Sequence, residues 1–148
     1  MKTFAASTVA AIALMGLAAP AVGQTSAPTA ASGKTPGGAL YTLPAGWTAK
    51  TAGAATVYTA PEGDLNVAVV DVGKVAGAQA AEVQAWKLYR PDAKRTMRLA
   101  TPATPGDGWE ERVSLAYELS PSERATVSAL ALRKGEGWTV IIVDGADA

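Results

Sequence analysis

Five cations, Lys87, Arg90, Lys94, Arg95 and Arg98, fall within twelve residues and are opposed there only by Asp92. Such a run makes a local basic patch that an anionic polymer or an acidic protein surface would find complementary. The same cations also suit a solvated helix end, where they oppose the negative pole of the helix dipole. A second cluster, Asp107, Glu110 and Glu111, offers carboxylates for acid-base work or for a weak oxygen-ligand cation site. Adjacent residues of a strand point to opposite faces, so Glu110 and Glu111 are expected to diverge and the cluster reads as a charged loop end. Nucleophilic serine is the remaining chemistry. The chain has no histidine and no cysteine, which removes Ser-His-Asp and Cys-His catalysis and the usual nitrogen and sulfur zinc ligands. A lysine base would be announced by Ser-x-x-Lys on one helical turn. Ser114 is instead followed at the third position by Tyr117, Ser120 by Glu123, Ser122 by Ala125 and Ser128 by Ala131. Gly73, Gly77, Gly135 and Gly137 have neither the spacing nor the strand-to-helix context of a phosphate loop. No catalytic residue, cofactor or metal site is expected.

Trp47, Trp86, Trp109 and Trp138 would line a groove or fill a core, and in a chain with one phenylalanine the core is expected. Thirteen Lys and Arg balance thirteen Asp and Glu over 148 residues, so the excess of cations that a nucleic-acid binder needs is missing. With 49% hydrophobic and 18% charged residues the chain has the composition of one folded domain plus a tail.

The first 23 residues carry the tail's signal. Lys2 precedes an uncharged run from Phe4 to Leu17, and Ala21-Val22-Gly23 offers a small-residue cleavage site before Gln24. That run is too short to span a bilayer, so residues 1–23 are expected to be an export signal and the mature chain to carry no membrane span. The expected location is periplasmic or secreted. Residues 24–38 are rich in Ala, Pro, Ser, Thr and Gly, close on Pro36-Gly37-Gly38, and read as a disordered linker. The single α+β domain is then expected over 39–148.

Within it the patterns change with the elements. Leu40 to Leu43 and Ala55 to Thr59 are short strand-like runs, with turns at Pro44-Ala45-Gly46-Trp47 and Pro61-Glu62-Gly63-Asp64. Trp47 is expected to plug one end of the core. Leu65 to Val72 is apolar on both faces, apart from Asn66 and Asp71, and reads as a central strand. Ala78, Ala81, Ala85 and Leu88, widened by Trp86 and Tyr89, keep helical spacing, and Arg90 before Pro91 stops the helix. Pro102, Pro105, Gly106 and Gly108 mark a long irregular loop. Trp109 to Leu119 alternates, Arg124 to Arg133 follows the turn Ser120 to Glu123, and Trp138 to Val143 follows Lys134-Gly135-Glu136-Gly137. These last runs predict a three-stranded antiparallel meander. The fold class is therefore α+β, an antiparallel sheet with one packed helix. Thr139 to Val143 asks for burial on both sides, yet a single helix covers a single face.

Pro44-Ala45-Gly46-Trp47, the extended run closed by Pro61-Glu62-Gly63 and the strand Leu65 to Val72 resemble the PsbP-like α-β-α sandwich family, whose sheet is closed by a C-terminal helix that this chain lacks. The order of export signal, Ala/Pro linker, small module and the hairpin Arg124 to Asp144 is also similar to the N-terminal region of exported serine hydrolases of the β-lactamase and penicillin-binding-protein class. There the text around Trp138 to Gly145 leads into the hydrolase domain. The second resemblance implies a non-catalytic accessory domain with a downstream hydrolase as partner. The first implies a free-standing periplasmic binding protein, or a copy that self-associates through the uncovered sheet face.

Overall fold

The computed structural model describes residues 30–146. The export signal expected at 1–23 lies outside them. In chain order the elements are β1 (Ala31–Lys34), β2 (Leu40–Leu43), β3 (Thr48–Ala52), β4 (Ala55–Thr59), β5 (Leu65–Gly73), α1 (Ala78–Tyr89), β6 (Met97–Ala103), β7 (Glu111–Tyr117), β8 (Ala125–Lys134) and β9 (Gly137–Ala146). Strands β3 to β9 form one seven-stranded sheet in the order β3-β4-β5-β9-β8-β7-β6, antiparallel throughout, and β1 pairs only with β2. The expected meander β7-β8-β9 is present, extended at its outer edge by β6. The architecture is α+β with the sheet dominant. Among the described residues no helix is long and apolar enough to cross a membrane.

The helix spans the residues that its spacing predicts. Its first turn carries no acidic residue and its N-cap makes no side-chain hydrogen bond, so packing rather than capping holds it. Ala81 and Ala85 are fully buried, and such small side chains let α1 lie close over β5, β9 and β8. On this face Ala68 and Val70 of β5, Val140 and Ile142 of β9, and Leu115 of β7 form the floor of the core. Successive residues of β9 take opposite faces, as the pleat requires. Thus Val140 and Ile142 are buried under α1, while Ile141 and Val143 point to the opposite face and are half-buried.

That opposite face is where the structure departs from the sequence reading. Residues 31–38, expected as linker, form β1 and a turn. Thr35 N–H donates to Ala39 O at 2.9 Å, Gly38 N–H donates to Thr35 O at 2.9 Å, and Gly38 takes φ 94°. Pro36-Gly37-Gly38 is thus a hairpin turn rather than a chain breaker. The β1-β2 hairpin lies on the sheet over β4 and β5, with Tyr41 tilted on Tyr58 at 4.6 Å between ring centroids. Gly37 N–H donates to Asp71 Oδ2 at 2.7 Å, and Thr139 Oγ1 donates to Asp71 Oδ1 at 3.0 Å. Asp71, an exception in its apolar strand, is the pin that fixes hairpin to sheet.

Two further strands are additions. Pro102 was expected, with Pro105, Gly106 and Gly108, to mark a long irregular loop, but it lies within β6. The strand forms because it is the sheet edge, where a missing N–H costs no ladder bond, and its register shifts between Met97 and Leu99. Strand β3 is exposed along its whole length, so it shows no apolar alternation. Trp86 and Trp138 enter the core, but Trp47 and Trp109 are only half-buried and lie outside it. Trp47 stands instead on the face opposite α1, beside Pro61 and Leu65.

Candidate functional site

The five cations expected as one patch are divided between two surroundings. Arg90 caps α1, with its N–H donating to Trp86 O at 2.7 Å, and Arg95 sits in the irregular segment before β6. Both converge on Asp144 of β9, which is 5% exposed. Arg90 NH1 approaches Asp144 Oδ2 at 2.7 Å and Arg95 NH2 approaches Oδ1 at 3.8 Å. The Arg90 contact is close without being aligned as a hydrogen bond, so Oδ2 is held by charge. Arg95 also donates through NH1 to Glu123, and that bond holds the Glu123 carboxyl below its ordinary range. Burial is the main reason that the neighbouring Tyr89 hydroxyl is pushed up. Lys87, Lys94 and Arg98 are exposed and make no ion pair among the described residues.

Lys87, Lys94 and Arg95 border a recess of about 240 Å³ whose wall includes Glu82 and Trp86. Glu82 is 4% exposed, and burial raises its carboxyl above the ordinary range while hydrogen bonds with Tyr117 and Trp86 oppose the shift. Tyr117 is likewise pushed up by burial. This buried acid escaped the sequence reading, although a signal existed: Glu82 stands four residues after Ala78 and four before Trp86, on the apolar stripe. Asp144 gave a similar signal, since it follows Trp138, Val140 and Ile142 at every second residue.

The acidic cluster behaves differently from expectation. Glu110 and Glu111 do converge, because Arg133 donates through NH1 to Glu110 Oε2 at 2.7 Å and through Nε to Glu111 Oε2 at 3.0 Å. The reason is local: β7 begins at Glu111, so Glu110 lies in the preceding bend and strand alternation does not separate the two. Glu110 Oε1 also accepts the Gly135 N–H at 3.0 Å, tying the bend to the β8-β9 turn. Asp107, at φ 54°, pairs with Arg112 at 3.3 Å. These carboxylates are engaged with cations of the scaffold. Among the described residues no group of three or more acidic, His or Cys side chains is placed to hold a metal ion.

Two concave features of similar size lie on the sheet face opposite α1, beyond the reach of the β1-β2 hairpin. A trough of about 470 Å³ lies over β6 to β9, with Leu130, Ile141, Val143 and Ala116 as its apolar floor, the hydroxyls of Thr101 and Ser114 toward the β6 edge and that of Ser128 between Ala116 and Val143. A second cavity of about 490 Å³ shares Val143 with it and ends against Trp47, Pro61 and Leu65. Apolar surface gathered in a groove, with a few hydroxyls and an aromatic at one end, is suited to holding a partner. No protein-family model matches the chain, and the search of curated proteins found no match.

Proposed function

We propose that this chain is an exported, non-catalytic α+β interaction module, acting as the accessory domain of a periplasmic serine hydrolase of the β-lactamase class. One observation carries the binding role: α1 packs over β4, β5, β9 and β8 on one face of the sheet, whereas the hairpin covers only the β4-β5 side of the other, leaving Ile141, Leu130 and Val143 as an apolar trough. The accessory role itself rests on the resemblance of the chain's layout to such hydrolases. The perturbed Glu82 and Tyr117 support the non-catalytic side, since both are drawn into contacts between α1 and the sheet.

The test joins two measurements on the secreted protein. A photo-crosslinking amino acid at Ser128 or Leu130 is expected to capture a serine hydrolase in the producing cell. The purified chain is expected to leave β-lactam and ester substrates intact. Capture of unrelated proteins alone would remove the hydrolase assignment, and turnover by the purified chain would remove the non-catalytic one. A free-standing PsbP-like binding protein is the second reading. It is favoured by the layering of helix, antiparallel sheet and covering hairpin, and it predicts a partner other than a hydrolase at the same trough.

A further inference from the structure

The two cavities on the face opposite α1 form one trough running from Thr101 on β6 across β7, β8 and β9 to Leu65 on β5. Four inter-strand steps of about 4.8 Å give a length of roughly 19 Å. The floor strands β7, β8, β9 and β5 each have a hydrogen-bonded neighbour on both sides, so they offer no free backbone to an extended peptide. An occupant lying across them must satisfy its own backbone, and roughly 19 Å corresponds to about 13 residues of α-helix. No Lys or Arg borders either cavity, while Glu62 and Asp64 stand at the Trp47 end without an ion pair among the described residues; Asp64 also borders the adjoining cavity of Arg124, Arg90 and Arg95, the last two of which are engaged by Asp144 and Glu123. That acidic end complements cationic side chains and the positive pole of a helix N-terminus.

Resting on the interaction-module reading, we infer that the trough seats an amphipathic helix of a partner polypeptide, with its N-terminal, lysine- or arginine-bearing turn at Glu62 and Asp64. The apolar stripe of the helix covers Leu130, Ile141 and Val143, and its polar face stays in water.

The probe is a lactam-stapled helix of about 13 residues with leucines on one face and two lysines in its first turn. Saturable binding that shifts the methyl resonances of Leu130, Ile141 and Val143 is expected. Replacing Glu62 and Asp64 by lysine is expected to weaken it about tenfold, and a staple that begins with two glutamates should recover the loss. Leu130→Asp should abolish binding without unfolding, because that residue is half-buried at the trough and its strand is held by α1 from the other side. Three results separate the inference from the reading beneath it. Equal binding of a proline-interrupted extended peptide, or of a charge-reversed staple, would overturn the helix while leaving the trough a protein-binding surface. Shifts of the same methyls by phosphatidylglycerol vesicles, with none from the staple, would replace the helix by lipid. If no probe moved these methyls, both the helix and the interaction-module reading would fall.

Discussion

Trp86 of α1 donates its indole N–H to the Tyr117 hydroxyl of β7 across 2.9 Å, with the two rings edge to face at 89° and 5.7 Å between centroids. This contact fastens the helix to a strand near the sheet edge, while Ala81 and Ala85 settle its middle against the central strands. Glu82, one turn before Trp86, joins the same buried group, so a carboxyl, an indole and a phenol share a few hydrogen-bonding positions. Buried polar atoms arranged in this way specify one seat for the helix, because any slip leaves one of them unpaired.

Tyr117→Phe keeps the ring and removes the oxygen, leaving the Trp86 N–H and Glu82 without that partner. A buried polar group deprived of its bond costs about 1–3 kcal/mol. Urea unfolding should show a loss in this range with an unchanged slope. A loss under about 0.5 kcal/mol, typical of an isolated surface position, would mean that the hydrogen bond does not contribute to holding α1.

The pH dependence follows from the direction of each carboxyl. Glu82 is raised above its ordinary value by burial, so the folded chain holds that proton more tightly than the unfolded chain. Its stabilisation is complete below the ordinary carboxyl value of 4.5 and is lost as the pH rises through the folded value. Glu123 runs the other way: lowered chiefly by its hydrogen bond from Arg95, it favours folding above 4.5 and loses that contribution on acidification. Glu82→Gln, which imitates the protonated acid, should flatten the decline on the alkaline side and leave the acid side unchanged. Stability measured by urea between pH 3 and 8 on both proteins decides it; an unaltered alkaline limb in the variant would show that Glu82 titrates normally.

Elements with an apolar face were legible in the sequence, and those whose surroundings define them were not. The helix from Ala78 to Tyr89 and the central strand after Leu65 carry their own periodicity, because each buries a full stripe or face. Strand β3 is exposed throughout and β6 contains Pro102, so neither leaves a pattern that separates an edge strand from a loop. Strand β1 and the turn that joins it to the expected β2 were hidden for a different reason. Residues 31–38 are mostly small or polar, and they are held through Asp71 and through pairing with β2, which lies on Tyr58, contacts that exist only after the sheet has formed. The cations at Lys87 to Arg98 were visible as types, but their division depends on Asp144, which lies 46 residues beyond Arg98 in the chain.

Asp71 makes the hairpin testable. It accepts one bond from Gly37 N–H and one from Thr139, so Asp71→Ala cuts the turn of the hairpin from the sheet. Amide exchange over 31–43 is expected to accelerate while β7 to β9 stay protected. Tyr58, now pushed up to about 12, chiefly by burial and then by Tyr41 and Asp71, should titrate closer to 10 in the variant. In the intact chain the raised value means that ionising Tyr58 works against the hairpin as the pH climbs from 10 toward 12. Unchanged exchange over 31–43 would show that the Tyr41-Tyr58 stack alone retains it.

Asp144 poses the last question, whether its two arginines support the fold as charges. Its side chain is 6% exposed, whereas that of Arg90 is 47% exposed and that of Arg95 18%. Removing the anion frees Arg90 to turn toward water, and Arg95 keeps Glu123, so Asp144→Asn is expected to cost about 1–3 kcal/mol, less than a fully buried pair would. Arg90→Ala leaves Asp144 buried with its nearer cation gone and the other at 3.8 Å, a comparable or larger loss. If the two groups act on each other, the double variant costs less than the two single losses added, by about 1 kcal/mol in urea unfolding. Strict additivity would mean that Asp144 is retained for its contact with Arg95, and that Arg90 contributes to the end of α1 through its backbone N–H and its side-chain contacts with Tyr89.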